Sequence, residues 1–118
     1  MKTISLILWG FVAGFVLIPG TATAQEPPGR SLYEKHCRIC HGPVGGPPAP
    51  AMQKQMGVPD LYAPGFLAAR SDDSVVTVME KGAGKFMKPL ASTLKKEEMQ
   101  AILRFLRESA PASPASRP

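Results

Sequence analysis

Apolar side chains recur at helical spacing near the C-terminus of this chain. A run of polar and charged positions alternates with an apolar stripe at i, i+3, i+4 and i+7, formed by Met99, Ile102, Leu103 and Leu106. Such a stripe is typical of an amphipathic helix that buries one face. The pattern predicts a helix from about Leu94 to Glu108.

A second amphipathic segment lies upstream and carries signals at both ends. Ser71 is a good N-cap, and the two aspartates that follow it place negative charge where the helix dipole favours it. Val75, Val78 and Met79 fall at i, i+3 and i+4, which predicts that they form the buried face. Gly82 follows as a C-terminal stop.

The remaining segments predict shorter helices joined by loops. Arg30 to Cys37 is expected to form a short helix, Ala51 to Met56 one or two helical turns, and Phe66 to Arg70 a single turn. Gly42 to Pro50 is almost entirely glycine and proline, which excludes helix and central strand. No alternating strand pattern or hairpin signal occurs, so the fold class is predicted to be all-α.

The two ends of the chain are expected to lie outside this domain. Residues 1–24 predict a cleaved signal peptide, because a short apolar run from Leu6 to Ile18 precedes a small-residue cleavage site at Ala22-Thr23-Ala24. The predicted location is therefore periplasmic, with no stable membrane insertion after cleavage. An uncleaved membrane anchor is the alternative. Residues 25–109 form the predicted domain, and residues 110–118 (APASPASRP) a disordered tail.

Length and charge narrow the possible functions. Cleavage leaves 94 of the 118 residues, and a domain this small often needs a disulfide, a metal or another filler to complete its core. The full chain has a formal net charge of +5 at pH 7, of which Lys2 leaves with the signal. This charge is modest, aromatic residues do not interleave it, and the protein is exported, so nucleic acid is not expected as a partner.

The cysteines of the chain lie within one pentapeptide, Cys37-Arg38-Ile39-Cys40-His41. This is the C-x-x-C-H spacing of haem attachment: both sulfurs lie on one side of a helical turn and reach the two vinyl groups of one haem. His41 then faces the iron, for which a neutral imidazole is a good ligand. We therefore expect one covalently bound haem c.

Other readings of the two cysteines fit less well. A disulfide between Cys37 and Cys40 would close only a very small loop and constrain the unfolded chain little. A zinc site needs four ligands, yet the chain offers no third cysteine and one further histidine, His36. A redox dithiol would need a βαβ context, which the pattern lacks.

A methionine is the expected second axial ligand of the iron. Met79 and Met99 fit helical apolar stripes, so we expect both in the core. Met87 differs, because it lies in a loop between two helices and matches no helical periodicity. Met87 is therefore the predicted distal ligand, and the alternatives are Met56, Met52 or an open site.

Taken together, these motifs resemble the small soluble (class I) cytochromes c over nearly all of the mature chain. The resemblance rests on Gly29, Tyr33 and the haem motif, and on a series of later segments: Pro59-Asp60-Leu61, Ser71-Asp72-Asp73, Gly82-Ala83-Gly84 and Met87. It implies a small cytochrome c fold of three to five helices around the haem. It also implies that Gly29 and Tyr33 pack against the last helix, near Phe105.

The resemblance further implies a proline whose backbone carbonyl accepts the Nδ1–H of His41. Pro50 matches best, and Pro48 is the alternative. One departure concerns the distal loop. In most relatives a proline directly follows the ligand methionine, whereas here Lys88 separates Met87 from Pro89, so a looser loop is expected.

The expected function is one-electron transfer between redox proteins by a monomer that is not itself an enzyme. Five lysines near the Met87 loop are expected either to steer docking to an acidic partner or to be ordinary solvated residues: Lys81, Lys85, Lys88, Lys95 and Lys96. The alternatives are an electron-donor subunit of a larger redox enzyme and a ligand-binding or sensor haem with a labile distal ligand.

Overall fold

The structure is a computed structural model that describes Gly20 and residues 28–111. Almost all of the predicted signal peptide and most of the predicted C-terminal tail lie outside these residues. Five helices follow one another along the described chain: α1 Pro28–His36, α2 Arg38–His41, α3 Pro50–Met56, α4 Asp72–Lys81 and α5 Lys96–Ser109. No strand occurs between residues 28 and 111, which confirms the all-α prediction.

α5 supplies most of the core. The predicted stripe is buried along its whole length, together with Ala101 and Phe105. The helix begins two residues later than predicted, since Leu94 is buried in the turn that precedes it. Its start is fixed by Glu98, whose carboxylate accepts a hydrogen bond from the backbone N–H of Lys95 at 2.7 Å.

α1 crosses α5 at very short range. A Cβ atom at Gly29 would collide with the backbone carbonyl of Ala101 and lie 2.8 Å from the Cβ of Phe105, so only glycine fits at this crossing. Tyr33 is fully buried one turn later, with its ring centre 6.1 Å from that of Phe105. The predicted contact between the first and last helices is therefore confirmed.

α4 packs on another part of α5, and its N-terminus is capped as predicted. The Ser71 hydroxyl accepts a hydrogen bond from the backbone N–H of Ser74 at 3.2 Å. The predicted buried face was partly wrong. Val76 and Met79 are buried, Val75 is half-buried, and Val78 is 41 % exposed. The inward face is thus rotated by about one residue from the predicted stripe.

The chain between α3 and α4 consists of turns that are tied to the end of α5. Arg107 donates hydrogen bonds to the backbone carbonyls of Leu67 (2.9 Å) and Arg70 (2.8 Å) and to the Asp72 carboxylate (2.8 Å). The Tyr62 hydroxyl pairs with Ser109 Oγ at 3.1 Å. Among the described residues, no helix is long and apolar enough to cross a bilayer.

Candidate haem site

Cys37, Cys40 and His41 lie on one helical turn. The backbone N–H of Cys37 donates to the Tyr33 carbonyl at 2.8 Å, which ties this turn to the end of α1. The Cys37 carbonyl then accepts from Cys40 (3.2 Å) and His41 (2.9 Å). The turn therefore presents two sulfurs and an imidazole from five consecutive residues, which is the donor set that haem c requires.

The two cysteines are half-buried free thiols. Burial is the main reason why the pKa of the Cys37 thiol rises to about 11, and the neighbouring Cys40 adds to the effect. Cys37 packs against the apolar core rather than lying in solvent. The Cys37 thiol therefore lies next to apolar groups. A sulfur bonded to the edge of an apolar haem would have the same surroundings.

His41 is an imidazole whose Nδ1 is buried and has no hydrogen-bond partner. Burial lowers the pKa of His41, and the backbone carbonyl of Pro59 opposes this effect to a smaller extent. The net shift favours the neutral imidazole, which is the form that binds iron. A buried, neutral imidazole beside two thiols on one turn fits a proximal haem ligand.

The proline beside His41 is Pro59, which the sequence reasoning did not select. Its backbone carbonyl partly offsets the lowering of the His41 pKa but does not meet Nδ1 in hydrogen-bond geometry, whereas Pro50 is exposed at the first turn of α3 and Pro48 is buried in the preceding loop. A contact between Pro50 and His41 stays a prediction. Pro59 could have been considered from sequence, because Pro59-Asp60-Leu61 already belonged to the matching segments.

Tyr33 joins the candidate site to the core. Its hydroxyl donates a 2.8 Å hydrogen bond to the carbonyl of Gly42, the residue directly after His41. The same side chain packs on Phe105 of α5. Sequence reasoning identified the packing but missed the hydrogen bond, because no local pattern signals a contact across nine residues.

The methionines of the described residues form two groups, one buried in the core and one half-buried. Met79 and Met99 are 6 % and 1 % exposed in the core, as predicted. Met52, Met56 and Met87 are half-buried. Of these three half-buried methionines, Met87 packs against the buried core.

Met87 lies in a loop that is fastened to the end of α4. Its carbonyl accepts a hydrogen bond from the Ala83 N–H at 2.9 Å, and its own N–H donates to the Ala83 carbonyl at 3.3 Å. Leu90 N–H then donates to the Met79 carbonyl at 2.9 Å. The loop is thus closed at both ends, whereas the inserted Lys88 had predicted a looser one.

Eight apolar side chains suited to line a haem pocket are buried to different depths. Val78 and Phe86 are 41 % and 45 % exposed. Four others are half-buried against the core: Leu61, Phe66, Val75 and Leu90. These six offer apolar surface outside the close-packed interior, while the remaining two, Tyr33 and Ile102, are fully buried within it.

The five lysines near the Met87 loop are all exposed: Lys81, Lys85, Lys88, Lys95 and Lys96. The ammonium group of Lys85 lies 5.6 Å from the ring centre of Phe86.

Between residues 28 and 111, no group of three or more His, Cys, Asp and Glu side chains is arranged to hold a metal ion.

Solved structures similar to this one include c-type cytochromes. The chain resembles the KustC0563 c-type cytochrome with a TM-score of 0.62 and 28 % identity, over 70 % of this chain and 98 % of that one. A mutant of the same protein matches with a TM-score of 0.61 and 28 % identity, over 68 % of this chain and 95 % of that one. These similarities confirm the predicted small cytochrome c fold.

Comparison with family models gives a match over most of the chain. No curated protein sequence matches significantly. The model described as cytochrome C oxidase, cbb3-type, subunit III matches residues 24–106, which include the cysteine pair, His41 and Met87. The chain therefore belongs to this family of c-type cytochrome domains, whose members use haem for electron transfer.

Proposed function

We propose that this protein carries single electrons between redox partners in the periplasm, with one haem c bonded to Cys37 and Cys40. His41 and Met87 are the proposed axial ligands. The protein binds no substrate and is not an enzyme in its own right. Haem-based electron transfer is the function of the family, and the ligand pair, the location and the partners are our proposals.

The arrangement of Cys37, Cys40 and His41 is the observation that carries the proposal. The turn holds the two thiols and the imidazole together, and burial lowers the pKa of His41, which favours the neutral imidazole. When bound, haem supplies a one-electron Fe(III)/Fe(II) couple. The Pro59 carbonyl is the proposed acceptor for Nδ1–H, which would fix the ring and leave Nε2 for the metal.

Met87 is the proposed sixth ligand because its backbone is fixed while its side chain stays at the core boundary. Methionine sulfur paired with histidine raises the potential of haem iron. With His41 and Met87 both bound, the iron would have no site left for a small molecule. Electron transfer then needs no ligand exchange, and small molecules are kept from the iron.

The exposed lysines support an acidic redox partner. Five of them come from the end of α4, the Met87 loop and the start of α5. Positive charge concentrated in these consecutive segments would steer a negatively charged surface toward them. A transient encounter of this kind should weaken as ionic strength rises.

Absorption spectroscopy of the holoprotein tests the ligand assignment. We would compare the wild-type protein with Met87→Ala, and use Met52→Ala and Met56→Ala as matched controls, since all three methionines are half-buried. Met87→Ala should abolish the long-wavelength Fe(III)–methionine band and allow carbon monoxide to bind the reduced protein. The two controls should keep the band and exclude carbon monoxide.

The outcomes separate the proposed shuttle from a sensor. If the wild-type reduced protein binds carbon monoxide readily, the distal ligand is labile and a ligand-binding role replaces electron transfer. If Met52→Ala or Met56→Ala changes the spectrum instead, that methionine is the ligand. An intact mass equal to the polypeptide starting at Gln25 plus one haem would support both signal cleavage and single covalent attachment.

An electron-donor subunit is the second candidate, because the family description refers to an oxidase subunit. The chain covers 98 % of the KustC0563 cytochrome, so it is comparable to a protein consisting of one such domain. Size-exclusion chromatography of the native periplasmic fraction distinguishes the two. A free monomer supports the shuttle, and stable elution within a larger haem-containing complex supports the subunit.

A further inference from the structure

Gly82 ends α4 in a backbone conformation that other residues avoid. Its φ and ψ are 77° and 177°, a region that is essentially restricted to glycine. Its N–H still donates to the Val78 carbonyl at 2.8 Å, so the helix is intact up to this residue. The chain therefore turns sharply at Gly82, directly before the loop that carries Met87.

The backbone of residues 87–89 lies against the Cα of Gly82. A Cβ atom at this position would collide with the carbonyl oxygen of Met87. It would also lie 2.9 Å from the nitrogen of Pro89 and 3.0 Å from the carbonyl carbon of Lys88. All three neighbours are backbone atoms, so no side-chain rotation can make room for a methyl group.

The same contact brings two hydrogen bonds into range. Ala83 exchanges N–H···O bonds with Met87 in both directions, at 2.9 and 3.3 Å. This pairing requires the Met87 carbonyl to approach the end of α4 as closely as it does. The missing side chain at Gly82 is what permits the approach.

We infer that Gly82 is a positioning residue: because it has no side chain, the loop can approach the end of α4 and bring Met87 to where its sulfur can ligate the iron. The inference rests on the proposed function, since it assumes Met87 to be the ligand. It also accounts for the inserted residue in the distal loop. A Cβ at Gly82 would meet the backbone of all three residues from Met87 to Pro89, so the backbone of Lys88 lies within the segment packed against the end of α4.

The test compares four holoproteins: wild type, Gly82→Ala, Gly84→Ala and Met87→Ala. Gly84 lies in the same loop and also has a positive φ, of 57°, but a Cβ there would meet nothing within 4 Å. It therefore controls for a side chain at a positive φ in this loop without the collision. Each protein is examined for the Fe(III)–methionine band and for carbon monoxide binding after reduction.

Gly82→Ala should lose the methionine band and bind carbon monoxide at least about tenfold more tightly than wild type, because a displaced Met87 no longer competes for the iron. Gly84→Ala should keep the wild-type spectrum. If Gly82→Ala keeps both the band and the exclusion of carbon monoxide while Met87→Ala loses them, the inference about Gly82 is overturned and the proposed function stands. If Met87→Ala itself has no effect, the ligand assignment fails instead.

A second measurement covers the case in which Gly82→Ala is not recovered with haem. In the wild-type holoprotein under increasing urea, the amides of Ala83 and Met87 should lose protection from hydrogen exchange together with the methionine band, before α5 unfolds. Amides that exchange freely while the band persists would overturn the inference, because the fastening at Gly82 would then not hold the ligand.

Discussion

The interface between α1 and α5 and the loops that carry Met87 and Pro59 are built on different principles. In the interface, Gly29 has no side chain, so the backbones of α1 and α5 can come into contact. Tyr33 and Ile102 are fully buried in the same interface. In the loops, the site residues are half-buried or exposed, and apolar surface is presented by Phe86 there and by Val78 in the preceding helix α4. The α1–α5 interface is filled by its own side chains, whereas the region around the loops leaves apolar surface exposed.

This difference separates what stabilises the protein from what gives it chemistry. The helix interface buries large apolar side chains, each of which contributes about 1.5–3 kcal/mol. The site depends instead on backbone hydrogen bonds, such as those between Ala83 and Met87, and on glycine-permitted contacts. The links between the regions include the Tyr33–Gly42 hydrogen bond, the Tyr62–Ser109 hydrogen bond and the three hydrogen bonds of Arg107.

The largest expected effect comes from removing the covalent attachment. In the double variant Cys37→Ser, Cys40→Ser, we expect no covalently bound haem and no cooperatively folded domain, because apolar side chains such as Val78 and Phe86 would stay exposed without it. Intact mass, far-UV circular dichroism and hydrogen exchange of the α5 amides measure the loss. Ile39→Ser is the matched control in the same turn, since that side chain is 81 % exposed.

The outcome decides how independent the helix interface is. If the double variant keeps a protected α5 and a cooperative thermal transition, α1 and α5 fold without the cofactor. The two regions would then be separable, and the loops alone would depend on haem.

A side chain at the helix crossing should destabilise the fold without altering the ligands. Gly29→Ala pushes a methyl group into the Ala101 carbonyl, for which we expect a loss of about 3 kcal/mol in the free energy of unfolding. The methionine band should persist below the transition. Gly57→Ala is the control: Gly57 has a φ of 66° and open space around it, so the cost should be about 1 kcal/mol.

Urea titrations followed by circular dichroism and by the methionine band measure both effects. Loss of the band in native Gly29→Ala would contradict the separation between interface and site, since it would show that strain at the crossing reaches Met87.

The features that could be predicted from the sequence are those that depend on neighbouring residues. The α5 stripe and the Ser71 cap were predicted because periodicity and capping are local signals. Cys37, Cys40 and His41 were identified because their chemistry depends on spacing within one turn. The packing of Tyr33 near Phe105 followed from the family resemblance and is confirmed.

What sequence reasoning missed depends on contacts between distant segments. The interaction of Pro59 with His41 and the fastening of Met87 by Gly82 are set by loop paths that no periodicity encodes. The inward face of α4 was misplaced because Val75, Val76 and Val78 are equally apolar. The angle at which α4 meets α5 decides which of them is buried.

Tyr33→Phe tests the link between the two regions. Removing the hydroxyl leaves the Gly42 carbonyl without its 2.8 Å donor, which should cost about 1 kcal/mol at neutral pH. Burial raises the pKa of Tyr33 above its ordinary value. The phenol's favourable contribution is therefore complete below pH about 10 and is lost as pH rises further, because the unfolded state ionises first.

Free energies of unfolding measured from neutral to strongly alkaline pH check this sign. Tyr33→Phe should lose less stability above pH about 10 than the wild type does. Tyr62→Phe, which removes a hydroxyl paired with Ser109, controls for the loss of a tyrosine hydrogen bond away from His41. Parallel pH profiles for wild type and Tyr33→Phe would show that the Tyr33 phenol does not govern the alkaline loss.

The smallest expected effect is at the start of α4. Ser71→Ala removes the acceptor for the Ser74 N–H and should cost about 0.5 kcal/mol, while Ser71→Asp keeps an acceptor and should restore stability. Ten residues separate this cap from the Gly82 end of the helix, a distance of about 15 Å. Because fraying at the first turn does not reach Gly82, the methionine band and the reduction potential should be unchanged. A change in the methionine band or in the reduction potential would show that α4 transmits strain along its length. The hydrogen bonds of the Met87 loop would then not be enough to keep the ligand in place.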